Sequence, residues 1–178
     1  SQNVAINWQS FSIGATEAVR FVQPNSSSVA LNRVLGADPS SILGSMSANG
    51  KVFLINPNGI LFGAGAQIDV AGLVASTLHL SNEDFLAGRM NFIGDPALAA
   101  AVVNQGRISA SPGGQVFLVG SAVDNRGVIT APNGDIVLAA GKSVRVTDSA
   151  TAGLQVEITA PADRALDLSE ATYGSRGI

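Results

Sequence analysis

Chemistry-bearing residues are sparse in this chain. His79 is the sole histidine and there is no cysteine, so multi-histidine metal centres have no donors and any nucleophile–histidine pair would have to use this one ring. Leu78 and Leu80 on either side read as a strand that turns His79 to solvent. The acids Asp69, Asp84, Asp124, Asp135, Asp148, Asp163 and Asp167 do not recur at a common period. A carboxylate enzyme acting on acidic polysaccharides would gather several on one strand face, with a base and calcium. Gly63-Ala64-Gly65 lacks the lysine and the helix of a phosphate loop. One dense constellation remains, Asn56-Pro57-Asn58-Gly59-Ile60. Proline presets φ at one central position of a turn, and Asn58-Gly59 are expected at left-handed sites. What this motif offers is a stiff corner. Neither catalysis nor a cofactor is implied.

That corner sits in Ala48–Thr77, where the runs Val52–Ile55, Ile60–Phe62, Gln67–Val70 and Leu73–Ala75 alternate with Asn49-Gly50, Gly63-Ala64-Gly65 and Gly72. Each run is strand-sized and each break tolerates a sharp turn. Charged residues make up 13% of the 178 residues against 46% hydrophobic, a balance too apolar for a disordered segment. A net charge of −3, with Lys and Arg scattered singly, leaves no basic patch for nucleic acid. No apolar run approaches the length of a membrane-spanning helix.

Downstream the sequence repeats itself. Asn104, Gly106, Ile108, Ala110, Gly113, Val116, Gly120 and Val123 match Asn125, Gly127, Ile129, Ala131, Gly134, Val137, Gly141 and Val144 in one ungapped shift. A period of roughly 20 residues marks a solenoid whose single turns cannot bury their own faces. Without a leucine-rich pattern the repeat is all-β, and the reading is a right-handed parallel β-helix in a single domain over 1–178. Asn104 and Asn125 would stack, either as an amide ladder or as residues in left-handed turns, with Gly106 and Gly127 at the corners beside them.

Val4–Trp8 and Val29–Val34 alternate like half-buried strands. Ser81 followed by Asn82-Glu83-Asp84, with Gly88 as a stop, predicts one short helix or turn. Asp95-Pro96-Ala97-Leu98-Ala99-Ala100 predicts a similar short helix or turn. The runs after Gly50, Gly114 and Gly134 are apolar on both parities, so both faces need cover. An outer stripe of Phe53, Phe117 and Leu138 is expected, covered either by another part of the chain, with Leu154–Thr159 as an extra hairpin, or by a partner.

VFLINPNGILFGAGAQIDVAGLVAST, preceded by VALNRV and SSILGSMSANG, resembles the N-terminal secretion domain of two-partner-secretion exoproteins, the bacterial adhesins of the filamentous-haemagglutinin and high-molecular-weight-adhesin type. INWQSFSIG, VVNQGRISA, NRGVITAPNG and the ITAP–ALDLS tail extend the likeness over nearly the whole chain. The resemblance implies a protein secreted through the periplasm to the outside or the cell surface. An outer-membrane transporter would recognise it through periplasmic POTRA domains, by strand addition to Val4–Trp8 or Val19–Val22. It makes Asn56, Pro57, Asn58, Gly59 and Ile60 a secretion motif acting through folding as much as through contact. The first strands of the N-terminal cap are expected upstream. A module that itself binds host glycans is the alternative, which the single Trp and single Tyr disfavour; a polysaccharide-degrading β-helix is a remote one.

Overall fold

Strands of three to six residues that meet a corner so often bury little by themselves, and the chain solves this by coiling. A computed structural model describes residues 2–159. The first coil holds β1 (Asn3–Trp8) and β2 (Ala18–Phe21). The second holds β3 (Val29–Val34), β4 (Ser40–Ile42) and β5 (Ser45–Ala48), and the third β6 (Lys51–Ile55), β7 (Ile60–Phe62) and β8 (Gln67–Val70). After β9 (Gly72–Ser76) the chain leaves the coil through α1 (Asn82–Leu86) and β10 (Met90–Ile93). It returns as β11 (Ala101–Asn104) and β12 (Arg107–Ala110). The fifth coil is β13 (Gln115–Gly120), β14 (Ala122–Asn125) and β15 (Val128–Thr130), and β16 (Asp135–Ala140) opens the sixth. Finally β17 (Ser143–Ser149) and β18 (Gly153–Thr159) fold back outside the coil as a hairpin.

Three parallel sheets result: a long one ordered β1-β3-β6-β9-β13-β16, a four-stranded one ordered β14-β11-β7-β4 and a five-stranded one ordered β15-β12-β8-β5-β2. The chain is a parallel β-helix, all-β apart from one five-residue helix among the described residues.

The long sheet is apolar on both faces because it separates two cores. Val52, Leu54, Val116 and Leu118 point inward and pack with Ile60, Phe62, Ile68 and Ile108 from the other two sheets. Phe53, Ile55, Phe117 and Val119 point outward. There β10, β17 and β18 form a three-stranded antiparallel sheet that buries them with Phe92, Val144 and Val146. Phe85 from α1 meets Phe53 edge-to-face at 5.8 Å. The described residues place the hairpin where the apolar parity needs it, and the excursion after β9 supplies its third strand.

Leu138 corrects the expected stripe. It pairs with Leu118, not Phe117, and packs against the inner core; the outward partner of Phe117 is Val137. The ungapped shift holds from Asn104↔Asn125 to Ser109↔Thr130 and then loses one residue at the next corner, so that Val116 lies on Ile136. Gly113 (φ 80°) and Asn133 (φ 54°) are the left-handed residues of these two corners, and they align only after that deletion. Side-chain parity has period two, so the lost residue moves Leu138 to the opposite face.

α1 forms as its sequence predicts: Ser81 Oγ accepts from the Asp84 amide at 3.1 Å, and Gly88 ends it at φ 73°. Asp95–Leu98 takes the turn alternative, closed by Leu98 N–H to the Asp95 carbonyl at 3.0 Å. The Asp95 carboxylate accepts from the Ala97 amide at 2.8 Å, and this side-chain turn ends where a helix would begin. His79 lies outside any strand, exposed, at the foot of the excursion. Of the ITAP–ALDLS tail, Ala160 onward lies outside the described residues.

Candidate functional site

Asn56–Ile60 joins the long sheet to the four-stranded one. Asn56 starts a turn closed by the Gly59 amide on its carbonyl at 3.2 Å, with Pro57 and Asn58 at the central positions. Of these residues only Gly59 has positive φ, at 125°. The expected left-handed Asn58 is therefore corrected: asparagine first, proline second and glycine fourth is the type I pattern, which keeps both central residues at negative φ.

What sets this corner apart is the Asn56 side chain, which is 0% exposed. Its amide donates to the Asp38 carbonyl at 3.0 Å and to Ser40 Oγ at 2.9 Å, both on the preceding coil. Its oxygen accepts from the Asn58 backbone at 3.0 Å and from the Asn58 side chain at 3.2 Å. Asn58 in turn donates to the Gly36 carbonyl at 2.7 Å. Gly36 is packed so closely on the first coil that a Cβ there would meet the Gln9 carbonyl oxygen at 2.1 Å. On the other side, the Asn56 backbone N–H donates to the Ser76 carbonyl of the fourth coil at 2.9 Å. The motif thus fastens its own coil to the coils before and after it. Gly59 and Ile60 are buried, while Pro57 and Asn58 are half-buried.

Asn104 and Asn125 form the corner between the other two sheets, and here the ladder is the geometry adopted. Asn104 Nδ2 donates to Asn125 Oδ1 at 2.8 Å, and neither residue has positive φ. Their side-chain oxygens accept from the amides of Gly106 and Gly127 at 3.1 and 3.3 Å. Gly127 needs to be glycine, because a Cβ would sit 2.1 Å from the Gly106 carbonyl. Corner, ladder and outer stripe do not converge on one pocket. They occupy two different corners and the outside of the long sheet.

Several participants are not evident from the motifs. Asp38, Ser40 and Gly36 complete the Asn56–Asn58 cage, and the available signal was Asp38-Pro39-Ser40 lying one coil ahead of Asn58-Gly59-Ile60, with Ser40 on Ile60. Asn32 is buried in the lumen, taking a hydrogen bond from Trp8 Nε1 at 3.0 Å and donating to the Phe53 carbonyl at 3.3 Å. Arg33 holds the excursion to the long sheet through the Leu80 carbonyl at 2.7 Å and Asn82 at 2.9 Å. The adjacent His79–Ile93 bridge closes the foot of that excursion. Desolvation, and then the Arg33 charge, hold the His79 imidazole below its ordinary range. Asp84 is held below the carboxylate range mainly by its hydrogen bond from Arg89, at 2.7 Å.

Comparison with known proteins puts a family to this geometry. The model of the TPS secretion domain family matches residues 1–175. The chain belongs to that family. As a TPS secretion domain it is part of a secreted exoprotein exported by way of the periplasm, and its partner is an outer-membrane transporter of the two-partner type. The family is one of secretion domains, not of enzymes. The crystal structure of the HMW1 secretion domain from Haemophilus influenzae superposes with a TM-score of 0.82 at 38% identity, covering 90% of this chain and 43% of that one. A heme/hemopexin-binding protein of Haemophilus influenzae strain Rd is 41% identical over 150 residues, 80% of this chain. Another heme/hemopexin-binding protein of Haemophilus influenzae is 51% identical over 80 residues, 45% of this chain. The matched stretches span only 16% and 9% of those two relatives' lengths.

Proposed function

We propose that Asn56–Ile60 serves secretion by nucleating the coil, and that transporter recognition rests on other residues. The observation that carries this reading is the burial of Asn56, whose side-chain bonds run inward to Asp38, Ser40 and Asn58. A finished corner offers a partner little more than Pro57 and part of Asn58. A chain that threads the outer membrane unfolded, with no cysteine to staple it afterwards, gains from a local turn that aligns successive coils as they emerge. The transporter's POTRA domains are then the receptors for the unfolded chain. They take it by strand addition along Val4–Trp8 or Val19–Val22, segments that become β1 and β2 at the edges of their sheets.

Once outside, the folded rod heads a longer β-helical adhesin at the bacterial surface. The relatives named as heme/hemopexin-binding proteins make a haem-carrying host protein the first ligand to test on the parent chain. The decisive experiment separates binding from folding. Asn56→Ala is expected to bind purified POTRA domains as the parent does, to refold more slowly, and to lower secretion yield. A variant that folds at the parental rate but no longer binds would make the motif a contact site and end this reading.

A further inference from the structure

Among the described residues, the outer cover of the long sheet is incomplete. At the starts of its strands a groove of about 380 Å³ runs between the sheet and the α1–β10 turn. Val29, Phe53 and Val74 line the sheet side, and Leu86 and Met90 the opposite wall. Leu86 is 73% exposed on a helix that buries Phe85 beneath it. No aspartate or glutamate lines the groove, in a chain whose net charge is −3. Two cations do. Arg89 is neutralised by Asp84 at 2.7 Å and Glu83 at 3.3 Å. Lys51 has no ion pair among the described residues, and its stem lies across Gly72, where an added Cβ would meet Lys51 Cγ at 3.4 Å.

An apolar trough with a free ammonium at its edge is complementary to one kind of small molecule. We propose that this groove binds an amphipathic carboxylate, with its acyl tail along Phe53, Val74 and Met90 and its head group on Lys51. The size follows from the volume: with a methylene taken at about the bulk of a water, ~30 Å³, the groove holds a tail of roughly ten to twelve carbons. The volume lies within the range of ordinary ligand sites. The site needs the folded sheet and the excursion together, so it operates on the folded rod and stands apart from the transport reading.

Calorimetric titration of the folded domain with dodecanoate tests it, with dodecylammonium and dodecanol as probes of the head group. The expected result is saturable one-to-one binding of dodecanoate, with dodecylammonium weaker by about tenfold or more because it faces Lys51 with like charge. Lys51→Glu and Leu86→Glu should each weaken dodecanoate by a similar factor. Both positions are solvent-accessible, and an unchanged thermal melt would show that each variant folds. Three results would overturn the proposal: no saturation below about 1 mM, equal affinity for all three probes, or unaltered binding by both variants.

Discussion

Replacing Asn56 with alanine removes four hydrogen bonds made by a fully buried side chain. Each such bond contributes about 1 kcal/mol net, and a buried group left without its partner costs about 1–3 kcal/mol. The Asp38 carbonyl and Ser40 Oγ lie on the preceding coil and the Asn58 amide in the turn itself. Some of these can turn to water at the half-buried rim, so a total near 3–4 kcal/mol is expected. That is a large part of the ordinary 5–15 kcal/mol of a domain. At this chain length it corresponds to a melting point lower by roughly 6–15 °C. Urea unfolding followed by circular dichroism gives the loss directly. Asn56→Asp is the companion variant: it keeps the acceptor facing Asn58 but directs a buried carboxylate at a carbonyl oxygen, and should cost at least as much. A loss under about 0.5 kcal/mol for both variants, together with failed secretion, would refute the folding argument, because the motif would then matter while contributing nothing to the fold.

The ladder separates by burial. Asn104→Ala, at a fully buried site, should cost about 2–3 kcal/mol, whereas Asn125→Ala, at an exposed one, should cost about 1 kcal/mol, both read by urea titration. Phe117→Ala should cost about 3–5 kcal/mol and release β17 and β18 to early hydrogen exchange, while Leu138→Ala leaves their protection intact. Because His79 titrates below its unfolded value of about 6.5, folding favours its neutral form. The stability this confers is present in full above that value and is lost as pH falls through the depressed one. His79→Gln should therefore flatten the melting-point profile on the acid side of pH 6.5, with the remaining carboxylate-driven loss appearing at lower pH.

Much of this architecture was legible because a solenoid writes its geometry into sequence twice, as strand parity within a coil and as phase between coils. Val52–Ile55 and Val116–Val119, apolar on both parities, required a second core, and the run at Leu154–Thr159 was the available cover. The single-residue deletion at Ser111–Gly114 was harder to see. Identities at Gly113/Gly134 and Val116/Val137 favour the ungapped shift, while the backbone instead aligns the positive-φ residues Gly113 and Asn133. Leu138 went to the wrong face for that reason alone. The Asn56 cage was out of reach for another reason. Two of its partners are the carbonyl oxygens of Gly36 and Asp38, which leave no mark in sequence, and the Ser40 hydroxyl shows only through its place one coil ahead.

The buried polar residues also explain what an apolar coil cannot do for itself. Val, Leu and Ile in the lumen pack almost as well after a coil slides by two residues, since parity is kept and one branched apolar side chain replaces another. Asn56, Asn104 and Asn32 do not tolerate that slip. Each is fully buried, and each has a partner at one fixed position on an adjacent coil: the Asp38 carbonyl, the Asn125 side chain and the Phe53 carbonyl. A two-residue slide would strand these amides at about 1–3 kcal/mol apiece, enough together to exclude the slipped registers. If the coils form in order as the chain emerges, as proposed above, the early coils set the phase for those that stack on them. This argument places the strictest requirement on Asn32 and Asn56, which fix the second and third coils, and a weaker one on Asn104, which stacks only after they are in place. Refolding rates should follow that order, with Asn32→Leu and Asn56→Ala slowing folding and Asn104→Ala chiefly speeding unfolding. Equal slowing by all three would mean that the coils close together, not in sequence.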